Sequence, residues 1–215
     1  MLGNQDVDDD ITFLKSPPLY GLVLAGGQSN RMGKDKAILS YHGPSQIEYN
    51  FKLLSRFCAK VFLSNRQEQS QRDIYKDYPQ ILDIFTNIGP MAGILSALCI
   101  YPNAGWLVLG CDLPFVGQEI LEMLVHSRDP AKMATAYLNS DENLPEPLCA
   151  IYEPSSRIRL LCFFDLGIYS LREFLTSSDT LFLQQPDQKH LLNINTREEY
   201  REAIELLRED RKHSA

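Results

Sequence analysis

The 215-residue sequence has no long hydrophobic run and no excess of positive charge. No apolar segment approaches the length of a bilayer span, and the first residues lack a signal peptide's basic and apolar regions, so we expect no membrane association. A net charge of −7 provides no general basic field for nucleic acid, so an anionic ligand needs a local cluster of cations. The five cysteines are far apart and form no CxxC pair, which favours buried thiols in a reduced cytoplasm.

Segments typical of strands and of helices alternate along the chain from Leu19 onwards. The run GWLVLGCD, residues 105–112, is apolar without alternation, as expected of a central parallel strand covered on both faces. This order predicts an α/β fold, with three α/β/α layers around a mostly parallel, Rossmann-like sheet. We expect the acidic residues 1–17, which end at Pro17, to form a flexible tail.

The other elements are predicted from their periodicity and their end signals. The predicted strands are LYGLVL (19–24), KVFLS (60–64), Ile81–Leu82, MATAYL (133–138) and PLCAIY (147–152). One predicted helix has an apolar face of Ile47, Phe51, Leu54 and Cys58. The other predicted helical segments are GPMAGILSALCIY, GQEILEMLVHS and residues 154–176. Thr196 and Glu199 form a capping box for a C-terminal helix, whose apolar stripe contains Tyr200, Ala203, Ile204 and Leu207.

The segment LVLAGGQSNRMGKDKAIL, residues 22–39, begins in the first predicted strand and continues into a loop that contains glycines and three cations. A glycine-rich turn at this place lets backbone N–H groups approach a phosphate closely. The spacing matches neither G-x-G-x-x-G nor a Walker A loop, which argues against dinucleotide binding and against a P-loop kinase. From these residues alone, a sharp chain reversal with solvated cations remains the alternative.

Asp112 ends the central apolar strand, which puts its carboxylate at the sheet's carboxyl edge, facing the loop that begins at Ala25. Mg²⁺ in proteins takes one or two carboxylates together with phosphate oxygens and water, so Asp112 is a candidate ligand beside a triphosphate. A helix cap, or a turn residue before Pro114, explains the position of Asp112 equally well.

The segment LAGGQSNRMGKDKAIL closely resembles the signature of the molybdenum cofactor guanylyltransferase family, whose members are glycosyltransferase-A-like nucleotidyltransferases. Four later segments match family blocks in the family's order, and together the blocks extend over about residues 19–205. The resemblance implies transfer of GMP from GTP to molybdopterin, with Mg²⁺ as cofactor and pyrophosphate as leaving group. The later segments are GPMAGILSAL (89–98), CDLPF (111–115), EPLCAIY (146–152) and NINTREEY (193–200).

The resemblance also implies which residues carry the reaction. The implied catalytic residues are Arg31, Lys36 and Asp112, of which Asp112 is the metal ligand. The implied nucleotide-binding residues are Leu24, Ala25, Gly26, Gly27, Lys36, Asn65, Asp83, Gly89 and Asp112. The implied acceptor-binding residues are Arg172, Asn193 and Asn195. Taken without the resemblance, Asn65 and Asp83 fit simple turns, Gly89 fits a helix start and Asn195 fits an Asx turn.

The resemblance divides residues 18–212, expected to form a single domain, into a nucleotide-binding part, about 18–130, and an acceptor-binding part, about 131–212. It implies partners among molybdoenzymes or other cofactor-biosynthesis proteins. The sequence departs from the family at Pro44-Ser45, where Lys-Pro is common, and near Gly167, where Arg172 alone replaces several basic residues. Two other functions remain open, namely cytidylyl or other nucleotidyl transfer on the same scaffold, and a non-catalytic nucleotide-binding accessory role.

Overall fold

A computed structural model of the chain describes residues 16–25, 39–139, 143–185 and 187–213. Four of the predicted site residues, Gly26, Gly27, Arg31 and Lys36, lie outside these ranges, as does nearly all of the predicted tail. In the described ranges the chain forms one seven-stranded sheet flanked by helices. The described strands are β1 (Leu19–Leu24), β2 (Lys60–Asn65), β3 (Gln80–Leu82), β4 (Gly105–Gly110), β5 (Ala134–Leu138), β6 (Pro145–Tyr152) and β7 (Thr180–Gln184).

The strand order across the sheet is β3-β2-β1-β4-β6-β5-β7. Strand β6 is antiparallel to both of its neighbours, whereas the other strand pairs are parallel. The sheet is therefore mostly parallel, which confirms the predicted fold class. Strands from the first and second parts of the chain join where β4 pairs with β6.

Helices cover both faces of the sheet, as a three-layer fold requires. Alternate side chains of β4 enter different cores, since Leu107 and Leu109 pack in one cluster and Trp106 and Val108 in the other. Two helices contribute apolar side chains to the first core, and three helices contribute them to the second. The described helices are α1 (Gln46–Leu54), α2 (Met91–Ile100), α3 (Gln118–His126), α4 (Ser156–Asp165), α5 (Leu171–Ser177) and α6 (Arg197–His213).

The predicted helix cap at Thr196 is present at the start of α6. The Glu199 main-chain N–H donates to Thr196 Oγ1 over 3.2 Å, and the Thr196 N–H donates to Glu199 Oε2 over 3.1 Å. This reciprocal pair is a capping box and fixes the start of the helix. The apolar stripe of α6 then packs against Leu39, Tyr41, Phe115 and Ile194, which form a third small core.

Three details differ from the sequence-based expectations. Helix α1 ends at Leu54, so Cys58 lies beyond it, and the Cys58 N–H bonds the carbonyl of Leu54. The helical region after Pro154 is two helices, separated at Gly167, whose φ of +73° is a conformation that glycine adopts readily. Strand β7 was not predicted, because its partly buried side chains at the sheet's edge leave no clear apolar alternation.

A buried ion pair ties the loop after α3 to the end of β6, at the edge of the sheet opposite Asp112. Arg128 donates from Nε to Glu153 Oε1 over 2.7 Å and from Nη2 to Oε2 over 2.8 Å. The Glu153 side chain is fully buried. Gly105 packs against this pair, since a β-carbon there would lie 2.5 Å from Arg128 Nη2. The two-point contact therefore compensates a carboxylate that water cannot reach.

We expect Arg128→Met to lower the free energy of unfolding by about 3 to 5 kcal/mol, because it leaves the Glu153 carboxylate buried without a cation. Lys132→Met is the matched control, since Lys132 pairs with Asp179 at the exposed surface, and we expect a much smaller change. Urea unfolding of both variants measures the two effects. Equal losses would contradict the assignment of Arg128 and Glu153 as a stabilising pair.

Candidate active site

A cavity of about 480 Å³ lies at the carboxyl ends of β1, β2 and β4. Parallel pairing brings these strand ends to one edge of the sheet, because Leu24 pairs with both Ser64 and Gly110. This edge is the usual ligand-binding position in open α/β sheets. Five of the residues that the sequence assigned to nucleotide binding line the cavity, namely Leu24, Ala25, Asp83, Gly89 and Asp112.

Asp83 lies on the cavity wall just after β3 and is held by Ser64. The Ser64 hydroxyl donates to Asp83 Oδ1 over 2.8 Å, and the Asp83 main-chain N–H donates to the Asn65 carbonyl over 3.0 Å. Burial raises the pKa of Asp83 from its ordinary 3.8 to about 6, against the opposing effects of the Ser64 hydroxyl and the Arg66 charge. The cavity therefore contains a carboxylate that is poorly solvated and able to accept hydrogen bonds from a ligand.

The first turn of α2 forms another part of the cavity wall. Gly89 has a φ of +61° and turns the chain into Pro90, which caps the helix. A β-carbon on Gly93 would clash with Ser64 Oγ and lie 2.8 Å from Leu24 Cδ2. Gly93 is therefore needed for close packing of α2 on β1 and β2. The start of α2 lines the cavity, and its N–H groups carry a partial positive charge that would stabilise an anion there.

Asp112 is half-buried two residues after β4, and the turn that carries it is held by buried polar groups. Asn50 Nδ2 donates to the carbonyl of Gly110 over 3.1 Å, and Gln46 Nε2 donates to Asn50 Oδ1 over 2.9 Å. Both Asn50 and Gln46 are fully buried on α1. Helix α1 thus supports the strand end from which the Asp112 carboxylate projects.

The segment Asn193–Asn195 comes from the far end of the chain and reaches the same edge of the sheet. The main-chain N–H of Ile194 donates to the Asp112 carbonyl over 2.8 Å. Asn193 Nδ2 donates to Glu146 Oε2 over 3.0 Å, whereas Asn195 is exposed and its N–H donates to Glu199. The structure therefore brings the predicted acceptor segment next to the predicted metal ligand.

Two predicted residues occupy other positions. Asn65 is buried at the end of β2, where its Nδ2 donates to Gln80 Oε1 over 3.1 Å, while its neighbours Ser64 and Arg66 line the cavity. Arg172 is exposed on α5, and its charge acts on Glu146.

The sequence did not single out Ser64 or Glu146. Ser64 lies at the end of a strand, next to a residue that was singled out. Glu146 is the one carboxylate within β6, a strand that is otherwise uncharged, and this contrast was the available signal.

The carboxylates at this edge determine which cation would fit. Asp112 lines the cavity, and Glu146 lies close enough to Asp112 for their charges to interact. Among the described residues, no group of three or more histidine, cysteine, aspartate or glutamate side chains could hold a metal ion. A tetrahedral site built entirely from protein ligands is therefore absent from the described part of the chain. A carboxylate beside an open cavity fits a cation such as Mg²⁺, which takes its remaining ligands from phosphate and water.

These features define an α/β protein with an open cavity at the carboxyl edge of its mostly parallel sheet. Residues 21–185 match the family model described as the MobA-like NTP transferase domain. The chain belongs to this family and is a nucleotidyltransferase. Within the described residues, no helix combines the length and the apolar character needed to cross a membrane.

Named relatives are similar over most of this chain. A molybdenum cofactor biosynthesis bifunctional protein of Synechocystis is 37% identical over 183 residues, which cover 85% of this chain but 53% of that protein. A probable molybdenum cofactor guanylyltransferase of Bacillus cereus is 28% identical, covering 85% of this chain and 94% of that protein. The crystal structure of molybdopterin-guanine dinucleotide biosynthesis protein A of Archaeoglobus fulgidus has the same fold, with a TM-score of 0.74, 24% identity and coverage of 88% and 99%.

The pH dependence of stability tests the environment of Asp83. Because its pKa is about 6 in the folded protein against an ordinary 3.8, the stability associated with its neutral form is full below pH 3.8 and is lost as the pH rises through about 6. Asparagine does not ionise, so we expect Asp83→Asn not to undergo this loss of stability. The free energy of unfolding of the variant minus that of the parent should therefore increase by on the order of 1 kcal/mol as the pH rises from 3.8 to about 6.

Urea unfolding at several pH values measures this difference. Ser64→Ala is the companion variant, because removing the hydroxyl should raise the pKa of Asp83 further and shift the loss of stability to higher pH. A difference between Asp83→Asn and the parent that does not change with pH would contradict the burial of this carboxylate.

Proposed function

We propose that the protein transfers GMP from GTP to the terminal phosphate of molybdopterin and forms the guanine dinucleotide cofactor. The observation that carries this proposal is the cavity at the carboxyl edge of the sheet, which is lined by five residues that the family signature associates with the nucleotide. They come from four separate segments of the chain, which makes a chance grouping a poor explanation. The names of the relatives support the choice of guanylyl transfer.

Asp83 supports guanine as the base. An ionised carboxylate accepts hydrogen bonds and donates none. Guanine offers two adjacent donors on its base-pairing edge, the N1–H and the exocyclic N2 amine, whereas adenine and cytosine present an acceptor at the corresponding ring nitrogen. A half-buried Asp83 on the cavity wall therefore favours guanine over adenine or cytosine. In the cytidylyl alternative, Asp83 could accept one hydrogen bond from the exocyclic N4 amine of cytosine, with no second donor beside it.

The reaction needs no protein nucleophile. A terminal phosphate oxygen of molybdopterin attacks the α-phosphorus of GTP in line, a new P–O bond forms, and the bond to the oxygen bridging the α- and β-phosphorus breaks to release pyrophosphate. The acceptor phosphate is already largely ionised near neutral pH, so a histidine base is unnecessary. The chain's contribution is to hold the two substrates in line and to neutralise charge.

Each group at the site has a proposed part in that step. Asp112 would hold Mg²⁺, which supplies positive charge beside the triphosphate when bound. The N–H groups at the start of α2 and the main chain of Leu24 and Ala25 would bind the nucleotide, and Lys36 and Arg31 would neutralise the phosphates. Arg172, Asn193 and Asn195 would bind the acceptor. We infer a reduced cytoplasm as the setting, where the described cysteines remain free thiols.

Binding of the four nucleoside triphosphates in the presence of Mg²⁺ tests the base preference. We expect GTP to bind at least about tenfold more tightly than ATP, CTP or UTP, because guanine alone offers two adjacent donors to Asp83. Isothermal titration calorimetry measures the four dissociation constants. Asp83→Asn should reduce the preference for GTP, since an amide can accept one of the two hydrogen bonds and not both. Equal affinity for CTP would move the assignment to cytidylyl transfer.

The role of Asp112 is tested by Asp112→Asn. We expect the rate of pyrophosphate release to fall by on the order of a hundredfold or more, because a charge that stabilises the transition state is lost. The main-chain contact with Ile194 remains, so the melting temperature should change little. Asp165→Asn, at an exposed position at the end of α4, is the control and should keep the parent rate. Unchanged turnover in Asp112→Asn would exclude it as the metal ligand.

A further inference from the structure

Glu146 is a buried carboxylate that begins the family block EPLCAIY, but the resemblance assigns it no role. The residue is 5% exposed on β6. Its Oε1 accepts from the main-chain N–H of Leu148 over 2.8 Å, and its Oε2 accepts from Asn193 Nδ2 over 3.0 Å. Both carboxylate oxygens therefore receive N–H donors, as expected of an ionised carboxylate that burial would otherwise destabilise.

The position of Glu146 links the nucleotide cavity to the segment Asn193–Asn195. Strand β6 pairs with β4 so that Cys149 is opposite Leu109. Continuing this antiparallel register past the end of β4 puts Glu146 opposite Asp112. Leu148, on the same face of β6 as Glu146, lines the cavity. The segment is thus held at two points, by the Glu146 side chain through Asn193 and by the Asp112 main chain through Ile194.

The contact with Glu146 determines which end of the Asn193 amide faces outward. An asparagine amide has a donor end, the NH₂ group, and an acceptor end, the carbonyl oxygen. Since a carboxylate is an acceptor, the NH₂ group must face Glu146. The carbonyl oxygen Oδ1 then lies on the other side of a half-buried side chain, and it has no hydrogen-bond partner among the described residues.

We propose that Glu146 is a positioning residue that holds the Asn193 carbonyl oxygen outward, where it accepts a hydrogen bond from an N–H group of the acceptor substrate. The inference rests on the proposed function, in which the acceptor is a pterin with ring N–H and amine donors. Asn193 would thus select a hydrogen-bond donor on the acceptor and would not contact the acceptor's phosphate. Glu146 acts through Asn193 and touches no substrate.

Glu146→Gln tests this assignment because it preserves shape while changing one acceptor into a donor. The introduced amide oxygen can satisfy the Leu148 N–H, and its NH₂ group then faces Asn193. The Asn193 amide must rotate, so its NH₂ group would face outward toward the N–H donors of the acceptor. We expect the KM for molybdopterin to rise by about tenfold or more, with the KM for GTP within about threefold of the parent and the melting temperature little changed.

The double variant Glu146→Gln with Asn193→Asp is the matched rescue. It exchanges donor and acceptor between the two positions and leaves the net charge unchanged. The introduced glutamine NH₂ group donates to one oxygen of the introduced aspartate, whose other oxygen again faces outward as an acceptor. We expect the KM for molybdopterin to return to within about threefold of the parent value. A purely structural role for Glu146 predicts parallel changes in stability and in both KM values.

Pyrophosphate release with GTP and molybdopterin as substrates measures all these constants, and thermal unfolding reports stability. If the parent catalyses transfer but Glu146→Gln has an unchanged KM for molybdopterin, the inference is overturned and the proposed function stands. The same holds if the double variant folds but its KM for molybdopterin does not return toward the parent value. Absence of transfer in the parent would overturn the proposed function and the inference together. If Glu146→Gln does not fold, Asn193→Ala decides, because loss of the outward oxygen must raise the molybdopterin KM by itself.

Discussion

The arrangement of the site depends on the pairing of β4 with its two neighbours. Parallel pairing with β1 brings Leu24 beside Gly110, so the glycine-rich segment and Asp112 leave the sheet at the same edge. Antiparallel pairing with β6 brings a strand from the second part of the chain to Asp112 from the other side. A strand pairs with two partners at most, so among the described strands the pairing of β4 with β6 is where the sheet joins the two parts of the chain. The two proposed substrate sites therefore adjoin at Asp112.

Among the described residues, the buried carboxylates Glu146 and Glu153 and the half-buried Asp83 are each compensated in a different way. Glu153 has a bidentate arginine, Asp83 has a serine hydroxyl, and Glu146 has a main-chain and a side-chain N–H. The full ionic compensation lies away from the cavity, where stability alone is required. Asp83 and Glu146 receive weaker neutral donors, and burial raises the pKa of each. Partial compensation leaves Asp83 able to accept a further hydrogen bond, as its proposed contact with the base requires, whereas the oxygens of Glu146 hold Leu148 and Asn193.

Helix α6 completes the site from the end of the chain. Its capping box begins directly after Asn195, and its apolar stripe packs on Leu39, at the end of the glycine-rich segment, and on Phe115, just after Asp112. The same helix therefore contacts the residues that flank both proposed substrate sites. Because Glu199 also accepts from the Asn195 N–H, the segment Asn193–Asn195 is held from the helix as well as from the sheet.

The sequence alone determined the alternation of strands and helices, the family, and the positions of Asp112 and Asp83 at strand ends, because those features depend on local periodicity and on short motifs. It could not determine that β6 runs antiparallel, that β7 joins the edge, or that Glu146 contacts Asn193. These depend on strand order and register, which arise from packing between segments far apart in the chain. Ser64 and Asp83 meet for the same reason, across the pairing of β2 with β3. Local patterns indicate which face of an element is buried, and only the tertiary structure decides which buried polar groups become partners.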